Sequence, residues 1–237
     1  MNIDFIILAA GKGIRMGGDS PKVLASLAGK PLVQHLIDTV DTFQSSKTSI
    51  VVGYKSNEVE RDVVSQKKLH FVKQKNQLGT AHAVKQALPN IRKNSVAVIL
   101  YGDVPLVGKN TLLRLIKSAS KGKLSLLTFI KEDPTGYGRI IRGSRKNVQK
   151  ITEHKDASSA EKEIREVNSG ILAIKASLLQ QFISKIKNSN AAKEYYLTDL
   201  VEISNNHSVD VVATLCDPYE VGGAKDKKEV HELERAY

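Results

Sequence analysis

Short apolar runs rich in β-branched residues recur along the chain, and the segments between the first four carry helical periodicity. The runs are "IDFIIL", "TSIVVGY", "LHFV", "SVAVILY", "LSLLTFI", "GILAI" and "VDVVATL". In the intervening segment "PLVQHLIDTVDTF", Leu32, Leu36 and Val40 recur at the spacing of one helix face. Strands that alternate with amphipathic helices form a mostly parallel sheet between helical layers. The pattern predicts an α/β fold with a Rossmann-like, mixed but mostly parallel sheet flanked by helices.

The alternation changes after about Phe129. There "KEDPTGYGRIIRGSRKNVQKITEHKDA" places Pro-Thr-Gly and Gly-Ser turn signals between short strand-like pieces. We expect a β-rich insertion over one end of the sheet. Helical patterns return in "SLLQQFISKI", "YYLTDLVEIS" and "KDKKEVHELERAY". Since the chain shows no internal repeat and no low-complexity linker, we expect residues 1–237 to form a single domain.

Composition narrows the classes of protein that fit. Hydrophobic residues make up 41% of the chain and charged residues 26%, as in ordinary globular proteins. No apolar run approaches the ~20 residues of a membrane span, and the N-terminus lacks the pattern of a signal peptide. One cysteine, Cys216, is present, so no disulfide forms within the chain. We expect a cytoplasmic protein without a membrane partner.

The formal net charge of +11 admits nucleic acid or phosphate-rich small molecules as ligands. The cations are scattered, and aromatic residues make up only 5% of the chain. Single-stranded nucleic-acid binders interleave cations with stacking aromatics, so a nucleic-acid partner is not expected. The six histidines show no ligand spacing, so zinc is not indicated either. Small phosphorylated ligands remain.

The stretch "LAAGKGIRMGGDSPKVL" follows the first apolar run and is rich in glycine and cations. Gly11, Gly13 and Gly17 are one residue too widely spaced for a dinucleotide fingerprint, and Asp19 stands where a P-loop has lysine. Glycines still allow close backbone approach to an anion, and successive N–H groups form an anion-binding concavity. The stretch predicts a phosphate-binding loop, the alternative being a surface turn with incidental cations.

A second feature follows the apolar run "SVAVILY", where Gly102 and Asp103 stand just past a predicted buried strand. Ligands of open α/β sheets bind at the carboxyl ends of the strands. Mg²⁺ prefers one or two carboxylates together with phosphate oxygens and water. Asp103 is therefore a candidate Mg²⁺ ligand, the alternative being a capping role in the turn before Pro105.

These motifs together resemble a known family. The glycine-rich stretch is similar to the signature loop of sugar-1-phosphate nucleotidyltransferases. The segments "QLGTAHAV", "YGDVPL", "DPTGYGRIIR", "EHKDA", "EVNSGILAI", "EYYLTDLV" and "LERAY" then follow in the expected order. Nearly the whole chain is similar to the uridyltransferase domains of the bifunctional bacterial enzymes that make UDP-N-acetylglucosamine. Any one motif is weak, but so many in order make the resemblance specific.

The resemblance implies a reaction. UTP and N-acetylglucosamine 1-phosphate would give UDP-N-acetylglucosamine and pyrophosphate, with Mg²⁺ as cofactor. The sugar phosphate oxygen would attack the α-phosphorus of UTP in line, without a covalent enzyme intermediate. Positioning and charge stabilisation carry such catalysis. The implied division of the chain is a nucleotide-binding part (1–130), a sugar-binding part (131–220) and a C-terminal helix (221–237).

Residue roles on the nucleotide side follow by matching position. Lys22 would contact the α-phosphate and Arg15 the leaving pyrophosphate, as the catalytic residues. The remaining nucleotide-binding residues would be Leu8, Ala9, Ala10, Gly11, Gly13, Gln74, Gly79 and Thr80. Gln74, with Gly79 and Thr80, would read the uracil, because an amide side chain suits an edge that mixes donors and acceptors. The alternative for Gln74 is a solvated strand end.

Residue roles on the sugar side also follow from the resemblance. They fall on Tyr101, Gly138, Glu153, Asn168, Tyr196 and Thr198. Glu153 would accept sugar hydroxyls, while Asn168 offers both a donor and an acceptor. Without the resemblance, Glu153 and His154 would be taken as part of a charged surface. His82 and His35 are expected on helices in packing or surface roles rather than as catalysts.

The chain departs from the family pattern in a late motif, where "VGGAKD" places Lys225 at the position of a second metal ligand, an Asn. A protonated lysine does not ligate metal, so we expect Asp226 to take over after a one-residue shift. The alternatives are that Lys225 replaces some cation charge on the phosphates, or that activity is impaired. An Asp226→Ala change should then raise the Mg²⁺ requirement sharply, and an unchanged Mg²⁺ titration would contradict the hypothesis.

The second departure is length. The family's β-helix with acetyltransferase activity is not expected within these 237 residues, and a monomer is expected. Two alternatives stay open. The chain could use a different sugar or nucleotide, or Lys225 could mark a UDP-sugar-binding module that has lost catalysis.

Overall fold

The computed structural model describes residues 1–12, 20–224 and 227–236. Its strands are β1 (Asn2–Ala9), β2 (Ser26–Leu27), β3 (Lys30–Pro31), β4 (Ser46–Val52), β5 (Leu69–Lys73), β6 (Ser95–Tyr101), β7 (Leu124–Ile130), β8 (Arg139–Arg142), β9 (Val148–Thr152), β10 (Glu166–Lys175) and β11 (Val211–Leu215). Its α-helices are α1 (Leu32–Asp41), α2 (Ser56–Asp62), α3 (Thr80–Ala87), α4 (Lys109–Ser120), α5 (Ser159–Lys162), α6 (Ala176–Phe182), α7 (Leu200–Asn206), α8 (Pro218–Val221) and α9 (Lys227–Ala236). None of these helices is long and apolar enough to cross a membrane.

The main sheet has nine strands, seven of which run in the order β11-β7-β10-β6-β1-β4-β5. The pairs β1–β4, β1–β6, β4–β5 and β7–β11 are parallel. β10 is antiparallel to both of its neighbours in this order, β6 and β7. The mixed, mostly parallel sheet predicted from the sequence is confirmed. The β-rich insertion forms the hairpin β8–β9, which joins the same sheet where Val167 of β10 pairs with Arg139.

Helices cover both faces of the sheet. Successive residues of β1 point to opposite sides, so Phe5 and Ile7 lie in one buried apolar cluster and Ile6 in another. The first cluster includes buried residues of α1 and α4, and the second includes buried residues of α3, α6 and α7. Ile7 is fully buried, and truncating it to alanine would cost about 2–5 kcal/mol of stability.

Helix α7 begins later than the sequence predicted. The pattern "YYLTDLVEIS" indicated a helix, but Tyr195 and Tyr196 precede a short 3₁₀ turn at Leu197–Asp199, and α7 starts at Leu200. Tertiary hydrogen bonds hold the chain out of the helix. The Tyr195 N–H donates to the carbonyl of Leu78 over 2.8 Å, and the Leu197 N–H donates to Thr80 Oγ1 over 2.9 Å.

One edge of the sheet collects the carboxyl ends of its parallel strands. Leu8 of β1 is in register with Tyr101 of β6, and Val52 of β4 is in register with Lys73 of β5. Because β10 runs the other way, its amino-terminal half reaches this same edge, where Asn168 pairs with Thr128 of β7. The topology thus brings segments far apart in sequence to a single rim.

Candidate functional site

A cavity of about 250 Å³ opens at this rim. Among the sequence-predicted site residues, those that line it are Leu8, Ala9, Ala10, Gly11, Lys22, Gln74, Gly79, Thr80, Tyr101 and Asp103. They come from the ends of β1 and β6, the segment after β5 and the start of α3. All described residues assigned to the nucleotide therefore converge on one space.

A second cavity, also about 250 Å³, lies on the side of the β8–β9 hairpin. Gly138, Glu153, Asn168 and Tyr196 line it, and it shares Thr80, Tyr101 and Asp103 with the first cavity. Thr198 does not line this space, but its hydroxyl donates to Glu153 Oε1 over 3.1 Å. The two cavities adjoin, and their common wall holds Asp103.

Four residues of the sequence prediction lie outside the described residues. They are Gly13 and Arg15 in the glycine-rich stretch, and Lys225 and Asp226 near the C-terminus. Ala224, just before the latter pair, is described, and its N–H donates to the carbonyl of Asp103 over 2.8 Å.

Lys22 and Asp103 form an ion pair on the common wall, with Lys22 Nζ donating to Asp103 Oδ2. Their side chains are only 15% and 24% exposed. Lys22 opens a 3₁₀ turn after Pro21, whose φ of −54° and ψ of 134° set the direction of entry. The fold therefore places this ammonium and this carboxylate, from residues 81 positions apart in the sequence, next to each other where the two cavities meet.

The residues at this wall fit a divalent cation of the magnesium type. No cluster of three His, Cys, Asp or Glu side chains occurs in the described part of the chain, so no cage made of protein ligands alone is present there. A single carboxylate beside an open cavity is the donor set that Mg²⁺ uses when phosphates and water supply its other ligands.

Gln74 lines the first cavity and is fixed there by burial and hydrogen bonds. Its side chain is 4% exposed, its N–H donates to the carbonyl of Val52 over 2.8 Å, and its Nε2 contacts Gly79 O at 3.3 Å. Gly79 has a φ of +112°, and a Cβ there would lie 2.6 Å from the Tyr195 carbonyl oxygen. Only glycine fits that position, which fixes how the chain enters α3.

Two tyrosines stay protonated at neutral pH in this site. Burial, aided by the charge of Glu153, raises the pKa of Tyr101, although a hydrogen bond with Thr80 opposes the change. Burial, aided by Asp156, raises the pKa of Tyr196 to about 12. The Tyr101 phenol can therefore donate a hydrogen bond to a ligand oxygen, whereas the Tyr196 phenol is hydrogen-bonded to Asp156.

Comparison with known proteins gives the class of chemistry. Residues 5–167 match the model of the family described as "MobA-like NTP transferase domain". The chain belongs to this family. The nucleotidyltransferase class predicted from the sequence is thereby confirmed.

Individual relatives agree with the family assignment. The chain is 45% identical over 238 residues to the "Bifunctional protein GlmU" of Ruthia magnifica subsp. Calyptogena magnifica, covering 100% of this chain and 52% of that protein. It is 46% identical over 239 residues to the protein of the same name from Pseudomonas entomophila (strain L48), with the same coverage. The chain thus spans about half the length of these curated relatives.

A solved structure supports the fold of this NTP transferase family member. The chain is similar to a UDP-glucose pyrophosphorylase solved in complex with UDP-glucose, with a TM-score of 0.79 and 16% sequence identity. The similarity covers 100% of this chain and 98% of the other. This agrees with the predicted fold of the nucleotide-diphospho-sugar transferase type.

Several lining residues escaped sequence reasoning. Gln77 and Ala83 line the first cavity, Tyr137 and Ser169 line the second, and Glu194 lines both. All five stand in motifs that the sequence analysis quoted, Gln77 and Ala83 in "QLGTAHAV" and Glu194 at the start of "EYYLTDLV", but none was assigned to the site. The hydrogen bond from the Tyr195 N–H to the Leu78 carbonyl brings the segment of Glu194 to the cavities.

Proposed function

We propose that this protein transfers a uridylyl group from UTP to N-acetylglucosamine 1-phosphate and releases pyrophosphate. One observation carries the proposal: residues assigned to a nucleotide and residues assigned to a sugar line two adjoining cavities. Lys22 and Asp103 stand at or beside their common wall. A reaction that joins two substrates through one phosphorus atom requires this arrangement.

Lys22 and Asp103 divide the charge of the reaction between them. Mg²⁺ held by Asp103, together with phosphate oxygens and water, would offset charge on the triphosphate. Lys22 Nζ, which pairs with Asp103 in the structure, would donate to an α-phosphate oxygen, where negative charge grows during in-line attack. Arg15 would contact the leaving pyrophosphate, and Asp226 would supply the second carboxylate.

The sugar side is suited to a hydroxylated ring. Glu153 accepts a hydrogen bond from Thr198, which orients its carboxylate beside the second cavity. Asn168 Oδ1 accepts a hydrogen bond from the Gly170 N–H over 3.1 Å, which fixes the orientation of the amide. The amide nitrogen is then available to donate to a ligand oxygen. With Gly138 and the phenols of Tyr101 and Tyr196, these groups would bind sugar hydroxyls and the N-acetyl carbonyl.

A domain division and an oligomeric state are part of the proposal. Residues 1–130 would bind the nucleotide, 131–220 the sugar, and 221–237 would form the closing helix of a monomer. Two alternatives differ in substrate or in catalysis. The site could take another sugar and nucleotide, or Lys225 could leave a binding module without turnover.

The deciding experiment measures pyrophosphate release from UTP, Mg²⁺ and N-acetylglucosamine 1-phosphate against other pairs of nucleotide and sugar phosphate. The expected result is turnover that is fastest for the first pair. Faster release from another pair would replace the proposed substrates. Binding of UDP-N-acetylglucosamine without release from any pair would favour the binding module.

A further inference from the structure

The terminal amide of Gln74 is oriented by two acceptors. Its Nε2 lies 2.9 Å from His82 Nδ1 and 3.3 Å from Gly79 O. A primary amide nitrogen carries two hydrogens, so both are engaged. Among the described residues none donates to Gln74 Oε1. The amide therefore offers its oxygen, rather than its nitrogen, to a ligand in the first cavity, which Gln74 lines.

The Gly79 carbonyl determines which end of the Gln74 amide faces it. A carbonyl oxygen can only accept, so the group that contacts it must be the nitrogen of Gln74. His82 Nδ1 then also accepts, and a neutral imidazole carries its proton on Nε2. On that side Gln86 Nε2 lies 3.2 Å from His82 Nε2 and 3.3 Å from the His82 carbonyl oxygen. Gln86 is half-buried, so its amide, unlike that of buried Gln74, can turn and leave its nitrogen to water while its oxygen accepts the His82 proton.

His82 itself stands behind the site. It does not line the nucleotide cavity but faces a groove of about 490 Å³ on the other side of α3, together with Leu78 and Lys85. It therefore reaches a base only through Gln74. Since Gln74 is 4% exposed, water cannot replace the contact if the amide turns over.

We propose that His82 is a positioning residue that makes the site prefer uracil over cytosine. The inference rests on the proposed use of UTP. Uracil presents an N3–H donor, which pairs with Gln74 Oε1, whereas cytosine presents an N3 acceptor that the same oxygen repels. Turning the amide to suit cytosine would place Oε1 against the Gly79 carbonyl and the His82 acceptor. His82 thus holds the discriminating orientation without touching the base.

A matched pair of variants tests the proposal. Leucine and asparagine have similar shapes, but only Asn offers an acceptor near the position of His82 Nδ1. In His82→Leu the ratio of kcat/KM for UTP to that for CTP should fall about tenfold, the discrimination that one oriented hydrogen bond supplies. In His82→Asn the wild-type ratio should be retained. The kcat at saturating UTP should change little in either variant, because Lys22 and Asp103 are untouched.

The outcomes separate this inference from the proposed function. If the wild-type protein does not prefer UTP, the proposed function fails, whatever the variants do. If it prefers UTP and His82→Leu keeps the wild-type ratio, the role of His82 is overturned. A loss of discrimination in both variants would also overturn it, since an acceptor alone should suffice.

A measurement on the unaltered protein decides the question even if a variant fails to fold. Nitrogen-15 NMR of labelled histidine distinguishes the two imidazole tautomers. In the neutral ring of His82, the expected tautomer carries its proton on Nε2 and none on Nδ1. A proton found on Nδ1 would require Gln74 to present its nitrogen to the cavity, which contradicts the proposal.

Discussion

Two pairs of an aspartate and a cation lie at opposite edges of the same two strands. At the amino-terminal edge, Asp4 of β1 is paired with Arg92 just before β6. At the carboxyl-terminal edge, Asp103 just after β6 is paired with Lys22. The chemistry of the two pairs is similar, but their surroundings differ.

The Asp4 carboxylate is saturated with donors. It accepts from Arg92 N at 2.7 Å, from Arg92 Nε at 2.8 Å, from Arg92 Nη2 at 2.6 Å and from Ser95 Oγ at 2.7 Å, and its side chain is 1% exposed. Such a carboxylate has no lone pair left for a ligand. This pair fixes the segment that precedes β6 to the start of β1.

The Asp103 carboxylate keeps free capacity. Lys22 is its only partner among the described residues, and both cavities open onto it. The comparison teaches that hydrogen-bond saturation, rather than the presence of an ion pair, separates a structural acid from one available to a ligand. The four predictions below test this difference, in order of decreasing effect.

Lys22→Ala should lower kcat by about 10²–10³-fold, the usual loss when one preorganised charge is removed from a transition state. Thermal unfolding should change little, because Asp103 lines both cavities, where water can solvate its carboxylate once the ammonium is removed. Steady-state kinetics and a melting curve measure the two effects. Lys93→Ala, at an exposed lysine just before β6 and so at the opposite edge of the sheet, is the matched control and should match wild type. If kcat falls less than threefold in Lys22→Ala, Lys22 does not contact the α-phosphate in the transition state.

Asp4→Ala should have the opposite profile. Removing it strands the Arg92 guanidinium and the Ser95 hydroxyl, which should lower the free energy of unfolding by about 3 kcal/mol. Denaturant titration measures the loss, while kcat per folded molecule should stay near wild type. A large fall in kcat without a fall in stability would contradict the structural role of Asp4.

Asp103→Asn should raise the Mg²⁺ concentration for half-maximal nucleotide binding by at least about tenfold, since even groups that only orient metal ligands have effects of that size. Stability should be retained. Titration of a fluorescent UTP analogue with Mg²⁺ provides the readout without turnover. Asp38→Asn, whose carboxylate pairs with exposed Lys30, serves as the control. An unchanged Mg²⁺ curve would assign the metal to other ligands.

Asp199→Asn extends the comparison to a buried acid that has no cationic partner among the described residues. Burial, then the nearby charge of Glu202, raises the pKa of Asp199 from 3.8 to about 6. The folded state thus binds the proton more tightly than the unfolded state, so stability present below pH 3.8 is lost as the pH rises through about 6. The variant should melt higher than wild type at pH 7.5 and nearly equally at pH 4. A gain confined to pH 4 would reverse the assignment.

Much of the fold could be predicted because buried strands and helices show a periodic pattern of apolar residues in the sequence. The strands β1, β4 and β6 are buried on both faces over most of their length, as a sheet between two helical layers requires. The start of α7 was not readable. Tyr195 has no local signal against a helix, and its hydrogen bond to Leu78, more than 100 residues earlier, decides its conformation.

The candidate site divides in the same way. Lys22, Gln74 and Asp103 stand in motifs next to strand ends, so general rules for α/β sheets find them. The role of His82 could not be found in that manner. On sequence alone it was expected to be a packing or surface residue, and only its 2.9 Å contact with buried Gln74 gives it a place in the chemistry.

The sequence by itself determined the α/β class, the family and the residue types that a nucleotide and a sugar phosphate would meet, because these depend on periodicity and local motifs. The tertiary structure decided which of those residues share a space. The reversal of β10 brings Asn168 to the rim where the parallel strands end, and Asp103, which lines both cavities, pairs there with Lys22 of the first cavity. Contacts between segments distant in the chain depend on packing of the whole sheet, and no local pattern encodes them.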